Sequence, residues 1–305
     1  MATVQITTWE EFKTALTETI TENTTYEIMN DIDVSNIVLS SAITLSSQYY
    51  RKTFQPGGDN EYITVNGITA YSDINIFYFR NNGNNPYTFN NIHFSNIMHT
   101  SGTLFNVHTY NNTYMVYFNN CMFSGMVNCL FAGGFSSSSQ GTHCTLQTCS
   151  INVKCESLFR ASYNVYQGYI NINPFSDEMY CVLRDNSENK ATYFNNCYLT
   201  GTVRYPYTSS SNLLTYAPES GSINVYNIKT IITNYNSSTT YRLVDRDPGT
   251  SNPYSILCNI EKFYDGSGNQ VSPNLYTPSH QYNLTDSQMK SRTYIQENTN
   301  FPLYG

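Results

Sequence analysis

One six-residue phrase recurs along this chain and limits the folds open to it. Phe89-Asn90-Asn91-Ile92-His93-Phe94 returns as Phe118-Asn119-Asn120-Cys121-Met122-Phe123 and again as Phe194-Asn195-Asn196-Cys197-Tyr198-Leu199. Weaker copies stand at Gln147-Thr148-Cys149-Ser150-Ile151, Tyr226-Asn227-Ile228 and Cys258-Asn259-Ile260, with a further one at Ile170-Asn171-Ile172-Asn173. A second apolar anchor follows the copies at Leu104-Phe105, Leu130-Phe131, Leu158-Phe159, Leu213-Leu214 and Leu243-Val244. The spacing, roughly 23 to 32 residues, lies in the range of stacked repeat architectures.

Within one copy, residues such as Cys121 and Phe123 alternate with polar neighbours, as in a strand with one buried face. Asparagine before such a strand suits a bend, because it tolerates left-handed backbone and bonds its own main chain. Stacked about 4.8 Å apart, equal positions lie over one another. Asn91, Asn120, Asn196, Asn227 and Asn259 are then expected to form a ladder of amides, with Cys121, Cys149 and Cys197 stacked beside it in the core. The 8 cysteines show no tight disulfide spacing and read as small buried hydrophobes.

Composition agrees with an all-β chain. There are 28 Tyr and 16 Phe against only 12% charged residues, and aromatic side chains suit a pleated, half-buried surface. The formal charge of −7, with no run of Lys or Arg, leaves no footprint for a nucleic-acid backbone. No stretch approaches the roughly 20 apolar residues that span a bilayer, and Met1-Ala2-Thr3-Val4-Gln5-Ile6 has no export-signal character.

The ends read differently from the middle. Thr8 and Glu11 form a capping box, and Trp9, Phe12 and Leu16 share one helical face. Tyr26 to Val34 reads as one strand, and Asn36 to Asn60 as polar chain closing in the turn cluster Pro56-Gly57-Gly58-Asp59-Asn60. Thr285 to Gln288 is a second capping box opening a short helix through Ser291. The expected organisation is a capping helix and first strands over 1–60, a repeat body over 61–270 and a C-terminal cap or tail over 271–305.

The asparagine ladder, the flanking apolar pairs and the variable turn lengths resemble the right-handed parallel β-helix family, the pectate-lyase-like folds that include phage tailspikes. The resemblance covers Tyr62 to Lys262, with a weaker extension toward the N-terminus. It implies an all-β chain wound as a single-stranded right-handed parallel β-helix solenoid with short α-helical caps at both ends. Lyases resembling this fold hold Ca²⁺ with several carboxylates, and hydrolases resembling it use a close set of aspartates. Against that pattern this chain offers Asp245-Arg246-Asp247, followed at once by Pro248-Gly249 in the manner of a charged turn, and Asp177-Glu178 near Arg184-Asp185. Asp245, Asp247, Asp177 and Glu178 are thus the candidate acids for glycan cleavage.

His93, His99, His108, His143 and His280 show no ligand spacing, and His93 and His99 read as satisfied surface side chains in a strand and a turn, so neither metal nor cofactor is expected. For contact with glycans or a protein partner the candidates are Tyr163, Tyr166 and Tyr169, which alternate with polar residues, and Tyr205 and Tyr207 flanking Pro206. The nearly neutral, Tyr- and Asn-rich surface suits work outside a cell, while nothing directs export through a membrane. The expectation is therefore a non-enzymatic structural or attachment component of a virus (phage) particle, assembled in the host cytoplasm. A head-decoration, tail or fibre protein would fit. Its partners would be other virion proteins and host surface glycans, with no nucleic acid and no membrane insertion, and homo-oligomer formation stays open. The alternatives are a tailspike-type polysaccharide depolymerase and a bacterial surface adhesin.

Overall fold

The computed structural model describes residues 1–45, 49–81, 87–109, 116–133, 144–160, 164–166, 168–173, 193–205, 212–215, 221–244, 254–258, 263–275 and 281–283. The chain opens with strand β1 (Ala2–Ile6), helix α1 (Trp9–Thr17), β2 (Thr24–Ile28), β3 (Ile32–Asp33), β4 (Ile43–Leu45) and β5 (Lys52–Pro56). There follow β6 (Ile63–Asn66), β7 (Thr69–Ala70), β8 (Asn75–Asn81), β9 (Tyr87–Asn90), β10 (Ile92–Thr109) and β11 (Val116–Asn119). The middle holds β12 (Met122–Ala132), β13 (Cys144–Gln147), β14 (Ser150–Arg160), β15 (Asn164–Tyr166), β16 (Tyr169–Asn173) and β17 (Tyr193–Tyr205). The last are β18 (Asn212–Thr215), β19 (Gly221–Ile232), β20 (Thr240–Val244), β21 (Tyr254–Cys258), β22 (Phe263–Asp265), β23 (Asn274–Leu275) and β24 (Gln281–Asn283).

The chain is all-β apart from α1, the one helix among the described residues. Twenty-one strands join one sheet and three a second. Every pairing between these strands is parallel. β1 lies on β2, β2 on β5, β5 on β9, β9 on β11 and β11 on β13. The series continues through β15, β17, β19 and β21 to β24. A second series runs from β3 through β6, β10, β12 and β14 to β16. A third carries β4 onto β8 and β8 onto the far half of β10.

Register follows the repeated phrase. Phe89 sits opposite Phe118, Asn90 opposite Asn119, and Phe94 opposite Phe123. Because paired residues lie one strand spacing apart, like side chains touch. Tyr26, Phe54, Phe89 and Phe118 form one column of stacked rings with centroids 4.9, 5.1 and 5.1 Å apart. Phe77, Phe105 and Phe131 form a second, at 5.0 and 5.3 Å, and Phe94 stacks on Phe123 in a third. Between columns the rings meet edge to face, as Phe105 meets Phe118 at 4.9 Å. Edge-to-face and offset stacks are the favoured geometries of aromatic quadrupoles, so the core is a lattice of rings as well as an apolar interior.

The bend before the strands is built as its chemistry suggests. Asn91 and Asn120 adopt φ of 55° and 52°, and Asn120 Nδ2 donates to Asn91 Oδ1 at 2.9 Å over a separation of 29 residues. Asn119 donates in the same way to Asn90. At the next level the left-handed position is held by Thr148, φ 54°. A β-branched residue is costly there. Thr148→Asn is therefore expected to raise stability by about 1 kcal/mol, measurable as an upward shift of the denaturation midpoint; a fall would show that the threonine makes compensating contacts. The register of β17 on β19 does not place Asn227 over Asn196: Cys197 lies opposite Ile223 and Gly201 opposite Ile228. Matching by motif slipped there, because the strands pair 26 to 27 residues apart while the two asparagines are separated by 31.

At the N-terminal end α1 forms over Trp9–Thr17 with both halves of its capping box made and Trp9, Phe12, Ala15 and Leu16 buried. Phe12 meets Phe54 edge to face at 5.5 Å, which seats the helix on the first aromatic column. The expected single strand over Tyr26 to Val34 is two, β2 and β3, broken where Met29 donates its amide back to Ile6 and the Asp31 carboxylate accepts the Thr64 amide. The polar stretch expected over Asn36 to Asn60 contains β4 and β5. Lys52 hid β5, for it occupies an inward position beside Phe54. The C-terminal helix expected from Thr285 lies outside the described residues.

Candidate functional site

Asp177, Glu178, Asp245 and Asp247 lie outside the described residues, as do Tyr163, Tyr207 and Asn259. Tyr166 closes β15 opposite Gln147 and Asn195. Tyr205 closes β17 opposite Ile232, and Asn196 lies within the same strand. Tyr169 opens β16 opposite Ser150 and is half-buried, and burial raises its phenol above the usual tyrosine range.

His93 and His99, both in β10, differ from each other. His93 is half-buried on the outer side of β10, with Nε2 3.0 Å from Ser124 Oγ. Burial holds its imidazole below the usual histidine range, while the Asp31 carboxylate acts the other way. A serine beside a neutral histidine is the start of a nucleophile–base pair, yet a working one needs a third group orienting the ring. Asp31 instead accepts the Thr64 amide. His99 is no surface histidine: it is fully buried, its Nδ1 3.2 Å from the Ala70 carbonyl and its Nε2 2.8 Å from that of Ile74. It fills the corner between β7 and β8 with a polar ring that faces a carbonyl on each side. Among the described residues no group of three His, Cys, Asp or Glu side chains could hold a metal ion. Cys121, Cys129, Cys144, Cys149 and Cys155 are buried thiols outside any disulfide, and burial pushes the Cys149 and Cys155 thiols well up, the direction of inert core side chains.

A concave feature of the outer surface lies elsewhere among the described residues. An open groove of about 360 Å³ is lined by Asn96, Ile97, Met98, Gly125, Met126, Asn152, Val153 and Lys154. Its layout follows from register. Ile97, Gly125 and Val153 are paired in line across β10, β12 and β14, and so are Met98, Met126 and Lys154. The first rank makes the floor and the second makes one wall. Asn96 and Asn152 make the other.

Two backbone features open this hollow. β10 carries a register shift between Phe94 and Ile97, where Asn96 turns left-handed at φ 49° and donates its amide to Asn66 Oδ1 at 2.6 Å. Such bulges re-aim side chains. Opposite Ile97 stands Gly125, at φ 132°, where any Cβ would collide with the Ile97 backbone. Asn152 accepts at Oδ1 from Asn171 at 3.1 Å. Met98 is 38% exposed, and the apolar wall continues through its partner Thr69 to Val38, which is 56% exposed. Lys154 is exposed and supplies the only cation of the lining. None of this was expected from the repeat. The available signals were Asn96 and Gly125, both beside conspicuous strand positions and neither aligned with the Phe-Asn-Asn phrase.

No protein-family model matches the chain, and no curated protein or solved structure matches it either. No helix among the described residues is long and apolar enough to cross a membrane.

Proposed function

We propose that the parallel columns are the sides of one right-handed β-helix coil, and that the protein is a non-enzymatic structural or attachment component of a virus particle. The carrying observation is the unbroken series of parallel pairings from β1 to β24 over stacked aromatic columns. Parallel strands need a connection that returns the chain to the same edge, usually a helix. Here the return between β5 and β9, or β9 and β11, runs through strands of the other columns, as it does in a coil. A coil packed with rings is stiff along its length and keeps one outer surface for contacts.

That surface is nearly free of charge runs, and function in such a body resides in what its faces touch. The end closed by α1 would meet neighbouring particle proteins, and the outer faces would meet the host. Mass spectrometry of purified particles tests this reading. The chain is expected among the particle proteins at defined stoichiometry. Its absence from particles, with the protein abundant in the lysate that produced them, would sink it. Reducing-sugar release from capsular glycans that is lost in Asp245→Asn would instead favour the depolymerase.

A further inference from the structure

The groove over β10, β12 and β14 has a chemistry that selects a ligand. Its volume of about 360 Å³ falls at the small end of ligand sites, which run from about 300 to 1,000 Å³, and suits one or two sugar rings. The asparagine wall offers both kinds of hydrogen-bonding atom. Asn152 has its Oδ1 engaged by Asn171, which leaves its amide N–H groups to donate. Asn96 spends an N–H on Asn66, which leaves its Oδ1 to accept. The facing wall is thioether, Met98 and Met126, soft and able to follow the contour of an apolar ring face. At the far end of that wall Lys154 has no carboxylate within ion-pairing distance among the described residues.

We propose that this groove binds a sugar residue that carries a carboxylate. Its ring lies on Met98 and Met126, its hydroxyls face Asn96 and Asn152, and its carboxylate meets Lys154. The proposal rests on the attachment reading and gives it a ligand class. Gly125 lets the bulged backbone of β10 come close to β12 beneath the ring, since any Cβ there would collide with Ile97.

The test uses the full chain with its methionine methyl groups labelled with ¹³C, Met98 and Met126 being assigned through Met98→Leu and Met126→Leu. The probes are N-acetylneuraminic acid and glucuronate, with glucose as the neutral control. Saturable movement of the Met98 and Met126 signals with at least one of the acids, and none with glucose, is expected. Lys154→Ala should weaken the acid about fivefold, the size of one exposed ion pair, and added salt should act in the same direction. Asn152→Ala should weaken it with the charge intact. Both substitutions are at exposed positions, and the unmoved methyl signals report that the fold is kept. Silence at both methionines with both acids overturns the proposal. So does equal binding of glucose, or indifference to Lys154→Ala. Each of those results leaves the particle experiment unaffected, so the groove and the virion role fail separately.

Discussion

Phe118→Ala is expected to be among the most damaging single substitutions in this chain, costing about 4–5 kcal/mol. The ring is fully buried. It stacks on Phe89 at 5.1 Å and meets Phe105, Phe123 and Phe131 edge to face at 4.9, 5.3 and 5.6 Å. Removal deletes the transfer free energy of the ring and leaves a cavity that stiff neighbours fill poorly, and it cuts a column whose next member, Leu146, is not aromatic. Phe118→Leu keeps most of the volume and should cost about 1–2 kcal/mol. Chemical denaturation followed by circular dichroism gives both values. A Phe118→Leu variant as stable as the natural protein would mean that ring stacking adds nothing beyond bulk, and losses equal to those of Phe118→Ala would mean that bulk without the ring contributes nothing. In the coil proposed above, stability is a sum over neighbouring turns, so hydrogen exchange should show the damage concentrated in β9 to β13.

Lys52→Met is the second large effect, a loss of about 3–5 kcal/mol. Helix α1 has no basic residue in its own last turn, and its final carbonyls point into the molecule. Lys52 reaches them from β5: Nζ donates to the carbonyls of Ala15 and Glu18 at 2.6 Å each and to that of Leu16 at 3.3 Å. Tyr87 adds its hydroxyl to the Leu16 carbonyl, and the rings of Tyr26 and Tyr87 flank the ammonium at 6.0 and 5.7 Å. Methionine fills the space but gives no donor, so terminal carbonyls stay buried and unpaired.

Burial nevertheless works against the charge and pulls the Lys52 amine down to about 8, with the Glu18 carboxylate opposing. The unfolded chain holds that proton to about pH 10.4, so between those values the unfolded state binds more protons and the Lys52 contribution rises with pH. The gap between the natural protein and Lys52→Met should therefore widen from pH 8 to pH 10, by about 1–2 kcal/mol. Tyr26, whose hydroxyl donates to Glu18 at 2.6 Å and whose pKa is raised by burial, titrates alike in both proteins, as do the buried thiols, and drops out of the difference. A gap that stays constant or narrows over this range contradicts the account.

Lys52 also shows where reading residues in order reaches its limit. Alternation reads a lysine as outward, so β5 was invisible although Phe54 marks it; only the end of a helix far away in sequence makes an inward ammonium tolerable. The α1 capping box, by contrast, lies within four residues and was legible whole. The Phe-Asn-Asn phrase disclosed register as well as strand, because Phe89 and Phe118 pair as the repeat implies. It misled at Asn227, which lies 31 residues after Asn196 where the strands pair at an offset of 26 to 27. The groove escaped notice for a related reason. It arises from a glycine and a left-handed asparagine that interrupt the pattern, and a search for recurrence passes over interruptions. The acids and two of the five tyrosines singled out beforehand, Tyr163 and Tyr207, fall outside the described residues.

The asparagine contacts also carry two different spacings. Asn119 and Asn120 reach back 29 residues to their partners, while Asn171 reaches Asn152 over only 19. The hydrogen-bonded ladder is thus indifferent to how much polypeptide is spent on the excursion between contacts. Excursion length behaves as a free parameter: it can be shortened, or extended with a displayed peptide or a new recognition loop, without disturbing which backbone amide meets which carbonyl. A lineage under pressure to change what it touches could vary those excursions while its interior stayed as it was.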